Sequence, residues 1–578
     1  MSERDLGLRY WTRGRMSRRR MIGAAAAGSA GLAAIAAFGC SSDNKDNGNG
    51  GNGPDRGTPR VNDGYQDGTP TAAQRGGIYR TRAATALPSM NPFGPGIFAL
   101  AQQLTLGFTV FDHMWYVPTD TGTVELFLAN KLEQPDPLTL IATIGDATFH
   151  DKEPVNGRAV EAEDIAASFK RFREEAPIGY SWLHDVMDDI VAPDAKTVKI
   201  TQKRTWAWLF TSSNAGSPLT SSIVPRELHE GHDDLLQRDA IGSGHWILDS
   251  HDNGANIKLR RFPNFRTFQG TQDITGQPYL DGIDSIYITD ENAALAAFIA
   301  NEVDSIGFNS RRQMENTQNE LGDKISTSFD LARDYLTLML KYEPPFTDKR
   351  VRQGINLMLD RDEAILLLRD GDAVKAGPIP PVHKRYALPE DDPAMQEYFR
   401  TDIADGKKAL EAAGFDFNQE IELKHSNRPN DAGLAQIIKE QLGRGGVKVK
   451  LVQEDLVKWF SQTLNQGQFH MTCFQHLPYE DPDLPLRFYM TGTGITNFMN
   501  YDEPKVTEAV LAAAGELDEE ERVKKVQDAQ RLIMSEYSPM LNMFSFINFS
   551  GRYSYVKGSV TGRGSYGLFN RTTWLDKA

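Results

Sequence analysis

The stretch Pro344-Pro345-Phe346-Thr347-Asp348-Lys349-Arg350-Val351-Arg352-Gln353-Gly354-Ile355-Asn356, followed by Leu359-Asp360-Arg361, is the most informative in the chain. Val351, Ile355, Met358 and Leu359 recur every three to four residues, which predicts a helix with one buried face. Arg350, Arg352 and Asp360 fall off that face and are expected to point outward or to cap. Downstream, Lys407 to Phe415 predicts a second helix, stopped by Gly414. Upstream, Ala147-Thr148-Phe149-His150-Asp151 predicts a strand closing at Phe149, and Asn156-Gly157 a turn. A helix is expected to start over Glu161 to Asp164, with Ile165, Ala166, Phe169 and Phe172 as its apolar side.

At 578 residues the chain is too long for one ordinary core, and two or three lobes are expected. A composition with 40% hydrophobic and 24% charged residues is that of a folded globular protein. The net charge is −15, and the first 39 residues carry seven Arg against Glu3 and Asp5, so the remainder is more acidic still. Such a body argues against nucleic-acid binding, which needs Lys and Arg along the phosphates. Two cysteines, Cys40 and Cys473, exclude a disulfide framework as the main stabiliser. After the N-terminal segment, no run of about twenty apolar residues is found.

Ser17-Arg18-Arg19-Arg20-Met21-Ile22 precedes an uncharged Ala/Gly-rich run to Gly39 and resembles a twin-arginine export signal; a membrane-spanning helix is the alternative. The run ends Ala37-Phe38-Gly39-Cys40-Ser41-Ser42, which resembles a lipobox despite Ala37 where Leu is usual, and so assigns Cys40 to lipidation. Residues 43 to about 74 are rich in Gly, Asn and Asp and are expected to act as a flexible tether.

From Gly76 onward, blocks of sequence resemble solute-binding protein family 5, the extracytoplasmic carriers of oligopeptides, dipeptides and nickel. The blocks are Ala147–Phe169, Val191-Ala192-Pro193-Asp194 with Thr197–Ile200, and Ile241-Gly242-Ser243-Gly244-His245-Trp246. They continue through Ile257–Phe265 with Pro278–Ile283, Ala293–Asp304, the Pro344–Arg361 stretch, and Lys407–Phe415. Seven such blocks in order are harder to meet by accident than one. The resemblance implies an α/β, two-lobed periplasmic-binding-protein-like fold of the type II, large cluster C kind, with an extra subdomain on lobe one. Expected boundaries are 1–39 signal peptide, 40–75 tether, 76–328 plus 549–578 lobe one with its subdomain at about 100–225, and 329–548 lobe two. The hinge crossings are expected near 325–335 and 545–550.

The resemblance further implies ligand capture between the lobes, delivery to the permease subunits of an ABC importer, a monomer, no cofactor and no nucleic-acid partner. Closure on ligand would shift the population of open and closed states. The segment Met471 to Pro482 resembles the family's aromatic strand running into a Tyr-x-Asp-Pro turn, which nominates Phe474, Gln475, His476 and Tyr479. Peptide carriers place an Asp just before that Tyr to pair with the ligand's ammonium; here Pro478 stands there, with Glu480, Asp481 or His476 as substitutes. Trp206 alternates with Trp208 at strand spacing, so one of the two is expected to face inward. Trp246 and Trp459 are further aromatic candidates, and Phe98 and Gln102 lie in a helix-like segment that lines the cleft in the family.

The ligand is expected to be an oligopeptide or a solute of similar size. A metal-chelate or other non-peptide carrier, and a surface receptor without a transporter, stay open. No Gly-x-Ser-x-Gly, His-Glu-x-x-His or Cys-x-x-Cys pattern supports an enzyme such as a hydrolase. His229 and His232 have His-x-x-His spacing but sit in a polar helix start, where a solvated surface pair is expected rather than a metal site.

Overall fold

The computed structural model describes residues 74–84, 87, 89–93, 106–107, 109–116, 124–175, 182–210, 221–229, 231–252, 254–270, 272–476, 482–492, 497–558 and 571–577. Cys40, Phe98, Gln102 and Tyr479 lie outside them, as do the export segment and the tether up to residue 73.

The chain enters as β1 (Ile78–Ala83) and then builds an antiparallel sheet from β2 (Ala129–Asp136), β3 (Thr139–Ile144), β4 (Met187–Asp194) and β5 (Thr197–Gln202). Its strand order is β2-β3-β5-β4. Between β3 and β4 runs helix α1 (Ala162–Glu175), which buries Ile165, Ala166, Phe169 and Phe172 as the apolar spacing requires. Its start is fixed by Asp164, a fully buried carboxylate. Asp164 accepts from both terminal nitrogens of Arg158 at 2.8 and 2.6 Å, and from the backbone N–H groups of Glu161 and Arg226 at 2.9 and 3.0 Å. A buried charge persists only when so completely bonded.

Strands β6 (Trp246–Asp252), β7 (Asn256–Arg261) and β8 (Gly282–Tyr287) return to β1 in the order β1-β8-β7-β6, with β1 and β8 parallel. Two sequence blocks meet here. The His150 N–H donates to the Gly242 carbonyl at 2.8 Å, and His150 Nε2 lies 2.9 Å from the Gly244 carbonyl. Gly244 packs so close to a neighbouring loop that a Cβ would sit 2.7 and 2.8 Å from the carbonyl oxygens of Val110 and Phe111. Only glycine fits so near a second backbone.

The largest sheet contains β9 (Ser305–Phe308), β10 (Ile325–Leu340), β11 (Ala373–Lys375), β12 (Glu420–Ser426), β13 (Lys448–Glu454), β14 (Met471–Gln475) and β15 (Met540–Tyr553). Its order is β9-β15-β10-β14-β12-β13, with β11 also on β15. The long strands β10 and β15 are antiparallel from Ile325↔Tyr553 to Met339↔Met540 and are interrupted between Leu331↔Ile547 and Tyr335↔Ser545. Three residues of β10, Ala332 to Asp334, there stand against Phe546 alone, and a bulge of this kind bends the ribbon. On one side of the interruption β15 pairs with β9; on the other β10 pairs with β14, which leads to β12 and β13.

Helices α2 (Lys349–Leu357), α3 (Arg361–Arg369), α4 (Ile403–Ala412) and α5 (Pro429–Arg444) accompany the β12–β14 half. Its core joins Leu336, Leu338 and Leu340 of β10 to Val351, Ile355, Met358 and Leu359, to Leu434 and Ile438 of α5, and to Cys473. The predicted apolar face of α2 is thus the one buried, and Asp360 caps α3 by accepting from the Glu363 N–H at 2.9 Å.

Arg352 departs from expectation. It is 3% exposed and donates to the carbonyls of Tyr537, Glu536, Phe346 and Thr347 at 2.5 to 3.0 Å. A guanidinium, with its five donors, can be buried wherever carbonyls converge, which a periodicity of apolar residues does not register. Arg361 is likewise 1% exposed and bonded to the carbonyls of Asn356, Leu359 and Asn542, and burial pushes its pKa down to about 10.

Candidate ligand-binding site

Strands β12, β13 and β14 are parallel neighbours, so their carboxyl ends, Ser426, Glu454 and Gln475, fall along one edge. At that edge β10 arrives with its interruption at Ala332–Asp334. In open α/β sheets ligands bind outside the carboxyl ends of the strands, where the strand order reverses. The edge carries an aromatic floor and a polar rim.

The floor is buried. Trp459 is wholly enclosed and its indole N–H donates to Thr472 Oγ1 at 3.0 Å. Phe474 lies 5.8 Å from the Trp459 ring and 4.5 Å, edge-on, from that of His476. His476 stacks on Tyr335 with centroids 4.3 Å apart and planes 3° apart, and its Nε2 is 3.0 Å from Thr337 Oγ1. Burial holds the imidazole pKa well below its ordinary value, so the ring is neutral.

The rim is half-buried. Gln475 donates to Asp334 Oδ2 at 2.8 Å and accepts from Asn430 Nδ2 at 3.1 Å. Arg428 reaches over the Trp459 ring at 5.7 Å and donates to Asp431 at 2.8 Å, while Ser426 Oγ donates to the same carboxylate. Burial raises the pKa of Asp334, opposed by the Gln475 hydrogen bond and by Arg369 and Arg428. The edge therefore offers a carboxylate, a guanidinium and two amides above an apolar floor, a mixture suited to fixing a small polar ligand.

Of the residues nominated from sequence, this edge brings together Trp459, Phe474, Gln475 and His476. Asp334, Arg428 and Asn430 were not nominated; the only local signal is Ser426-Asn427-Arg428-Pro429-Asn430-Asp431, a strand end followed by Pro at the first turn of α5.

Trp206 and Trp246 sit elsewhere. Trp246 opens β6 and is fully buried beside His245. The segment around Trp206 is a turn rather than a strand, and both tryptophans in it are buried, at 4% for Trp206 and 3% for Trp208. The reason lies in three helices distant in sequence: α6 (Asp483–Met490), α7 (Pro504–Ala514) and α8 (Glu519–Ser535). Arg487 of α6 stands 4.7 Å over the Trp206 ring, Arg522 of α8 stands 5.1 Å over that of Trp208, and the Ala207 N–H donates to the Ala514 carbonyl at 2.8 Å. Tyr386 meets Trp208 edge-on at 5.3 Å. His229 is half-buried rather than solvated: its ring packs 5.4 Å from Phe93 and its Nε2 is 3.2 Å from the Val224 carbonyl. Among the described residues no helix is long and apolar enough to cross a membrane.

A sheet whose two longest strands, β10 and β15, are interrupted beside the carboxyl ends of β12–β14 has the fold of the two-lobed solute-binding proteins. Residues 123–497 match the bacterial extracellular solute-binding proteins, family 5 (middle), and the chain belongs to that family, which comprises substrate-binding proteins and not enzymes. The oligopeptide-binding protein AppA of Bacillus subtilis is 28% identical over 235 residues, 39% of this chain and 40% of AppA. The glutathione-binding protein GsiB of Escherichia coli O1:K1 is 22% identical over 385 residues, 65% of this chain and 66% of GsiB. The alignments thus span less than two thirds of these relatives. The structure of AppA in complex with a nonapeptide superposes with a TM-score of 0.71 at 19% identity, covering 87% of this chain and all of AppA. That of AgaA from A. tumefaciens R10 with agropinic acid gives 0.72 at 20% identity, covering 87% and 99%.

Proposed function

We propose that the protein is the ligand-capturing subunit of an ABC importer and that it takes an oligopeptide or a similarly small zwitterionic solute at the carboxyl edge of β12–β14. The observation that carries this reading is the rim: Asp334 and Arg428, of opposite charge, flank Gln475 and Asn430 over the Trp459–Phe474 floor. A ligand with both an ammonium and a carboxylate satisfies such a rim, and Asp334 supplies the acid that Pro478 displaces from its usual place. The names of the relatives agree, since AppA is oligopeptide-binding and glutathione is itself a small peptide. In this reading residues 76–328 with 549–578 form lobe one and 329–548 lobe two, the interruption of β10 and β15 is the hinge, and closure brings lobe one onto the rim. Residues 1–39 direct export by the twin-arginine route, and a lipid on Cys40 holds the monomeric protein at the outer face of the membrane by a tether over 40–75.

Native mass spectrometry of the mature protein purified from its own host tests the ligand class. A ladder of peptide masses supports the proposal. One discrete non-peptide mass redirects it to a chelate or other metabolite, which is the reading AgaA would favour. Separately, Cys40→Ala is expected to release the protein from the membrane fraction; retention after a salt wash would place the anchor elsewhere.

A further inference from the structure

The interruption of β10 and β15 is bridged by an ion pair whose two members are anchored on opposite sides of it. The first member is Arg311, which opens the helix Arg311–Leu321 between β9 and β10. Ser310 fixes that start by accepting from the Gln313 N–H at 3.2 Å. The Arg311 guanidinium carbon then lies 5.1 Å over the Phe329 ring and 5.3 Å over that of Phe549. These two rings are cross-strand partners, two residues beyond the Leu331↔Ile547 pair at which the interruption begins. A cation shared by two aromatic faces is held by both.

Asp372 comes from the other side. After α3, Asp370 and Gly371 turn the chain with left-handed φ of 51° and 85°. The Gly371 N–H donates to the Ile365 carbonyl at 3.2 Å and the Asp372 N–H to that of Arg369 at 2.7 Å, so the carboxylate is set in a closed turn just before β11. β11 pairs with Phe544 to Phe546 of β15, and Arg369 stands 4.9 Å over the Phe546 ring. Across this gap Arg311 Nε donates to Asp372 Oδ1 at 3.0 Å. The side chains are 22% and 8% exposed, so the pair is screened less than one in open water.

On β15 only Ile547 and Asn548 separate the strand positions to which the two groups are fastened. Bending at the interruption therefore turns one group against the other, and a direct hydrogen bond tolerates little change in distance. We infer, on the reading of 76–328 with 549–578 and of 329–548 as two hinged lobes, that the Arg311–Asp372 pair is a strap across the hinge. It biases the lobes toward the arrangement described here and so raises ligand affinity without touching ligand. On that reading the arrangement is the closed one, since Trp206 and Trp208 of the first lobe lie against α6 and α8 of the second. An attraction made only in the closed state raises its population, and apparent affinity scales with the population competent to bind.

The test is small-angle X-ray scattering of the mature protein. Asp372→Asn keeps the shape of the side chain and removes its charge, and Arg311→Gln removes the other charge. Each is expected to raise the radius of gyration, because departure from the closed arrangement moves the lobes apart. The double variant is expected to raise it no further than the larger single change, since both break one link. Arg312→Gln, exposed on the same turn of helix, should leave the radius unchanged. A cooperative urea transition with the parent's m value in each variant shows that a larger radius is a lobe movement and not unfolding. An unchanged radius in either single variant, or additive rises in the double, would overturn the inference. Trp208→Leu separates that failure from failure of the two-lobe reading. A larger radius in Trp208→Leu alone leaves hinged lobes and removes the strap, whereas an unchanged radius in every variant removes both.

Discussion

His150 makes the stability of the β1–β8 region depend on pH in a way that can be worked out in advance. Its ring is fully buried, with Nε2 against the Gly244 carbonyl at 2.9 Å and Nδ1 facing the Gly242 N–H at 3.4 Å, so the neutral form satisfies both nitrogens. Burial, with Lys152 and Arg260 nearby, pushes its pKa down to about 3 from the ordinary 6.5. Between those values the unfolded chain takes up a proton that the folded chain refuses, so the unfolded state binds more protons and stability falls as pH falls from 6.5 toward 3. At about 1.4 kcal/mol per unit, going from pH 7 to pH 4 removes about 3 kcal/mol through this one residue. His150→Gln keeps a donor for Gly244 and cannot titrate. Urea unfolding followed by tryptophan fluorescence at pH 7, 6, 5 and 4 should show the variant less stable at pH 7 but losing about 3 kcal/mol less than the parent by pH 4. If both proteins fall in parallel, His150 is protonated in the folded state and the assigned hydrogen bonds are wrong.

Gly244→Ala should lower Tm sharply, because its Cβ meets backbone carbonyls that cannot move aside; a cost above about 3 kcal/mol is expected, and a shift within one degree would contradict the packing. Arg352→Met leaves the carbonyls of Tyr537, Glu536, Phe346 and Thr347 without their donor and should cost about 3 kcal/mol or more in urea unfolding, whereas Arg350→Met, on the exposed side of the same helix, should cost at most about 0.5. Trp208→Leu removes the cation–π contact with Arg522 and the edge-on contact with Tyr386, worth about 1 to 3 kcal/mol together, and should raise the radius of gyration in small-angle scattering as the contact with α8 loosens; an unchanged radius would confine Trp208 to a local packing role.

Elements whose sequence answers to local backbone demands are legible in the sequence itself. The apolar spacing of Val351, Ile355, Met358 and Leu359 defines the buried face of α2, and Ile165, Ala166, Phe169 and Phe172 that of α1. Arg352 was misread because apolar periodicity says nothing about carbonyls brought in from residues 536 and 537, nearly two hundred positions away. The alternation of Trp206 and Trp208 suggested a strand, but each ring is held by a different arginine, on α6 and on α8, and two-fold spacing arises in a turn when partners lie on both sides of it.

The site divides along the same line. Phe474, Gln475 and His476 sit within one continuous stretch of the family pattern, so sequence could nominate them together, and Trp459 entered only as a separate aromatic candidate, yet the three aromatic groups Trp459, Phe474 and His476 are enclosed and form a floor. What a ligand would meet is the rim, and the rim is assembled from ends: Asp334 at the interruption of β10, Arg428 and Asn430 where β12 passes into α5, and Gln475 at the tip of β14. None of these ends marks itself by composition or spacing, and their common location follows only from the parallel order of β12, β13 and β14 beside β10. A floor set by sheet packing can stay constant while the rim changes residue by residue. That separation gives a physical reason why proteins of this fold solved in complex with a nonapeptide and with agropinic acid superpose almost equally well on this chain, and why, under the proposed function, ligand choice rests on Asp334 and Arg428 rather than on the fold.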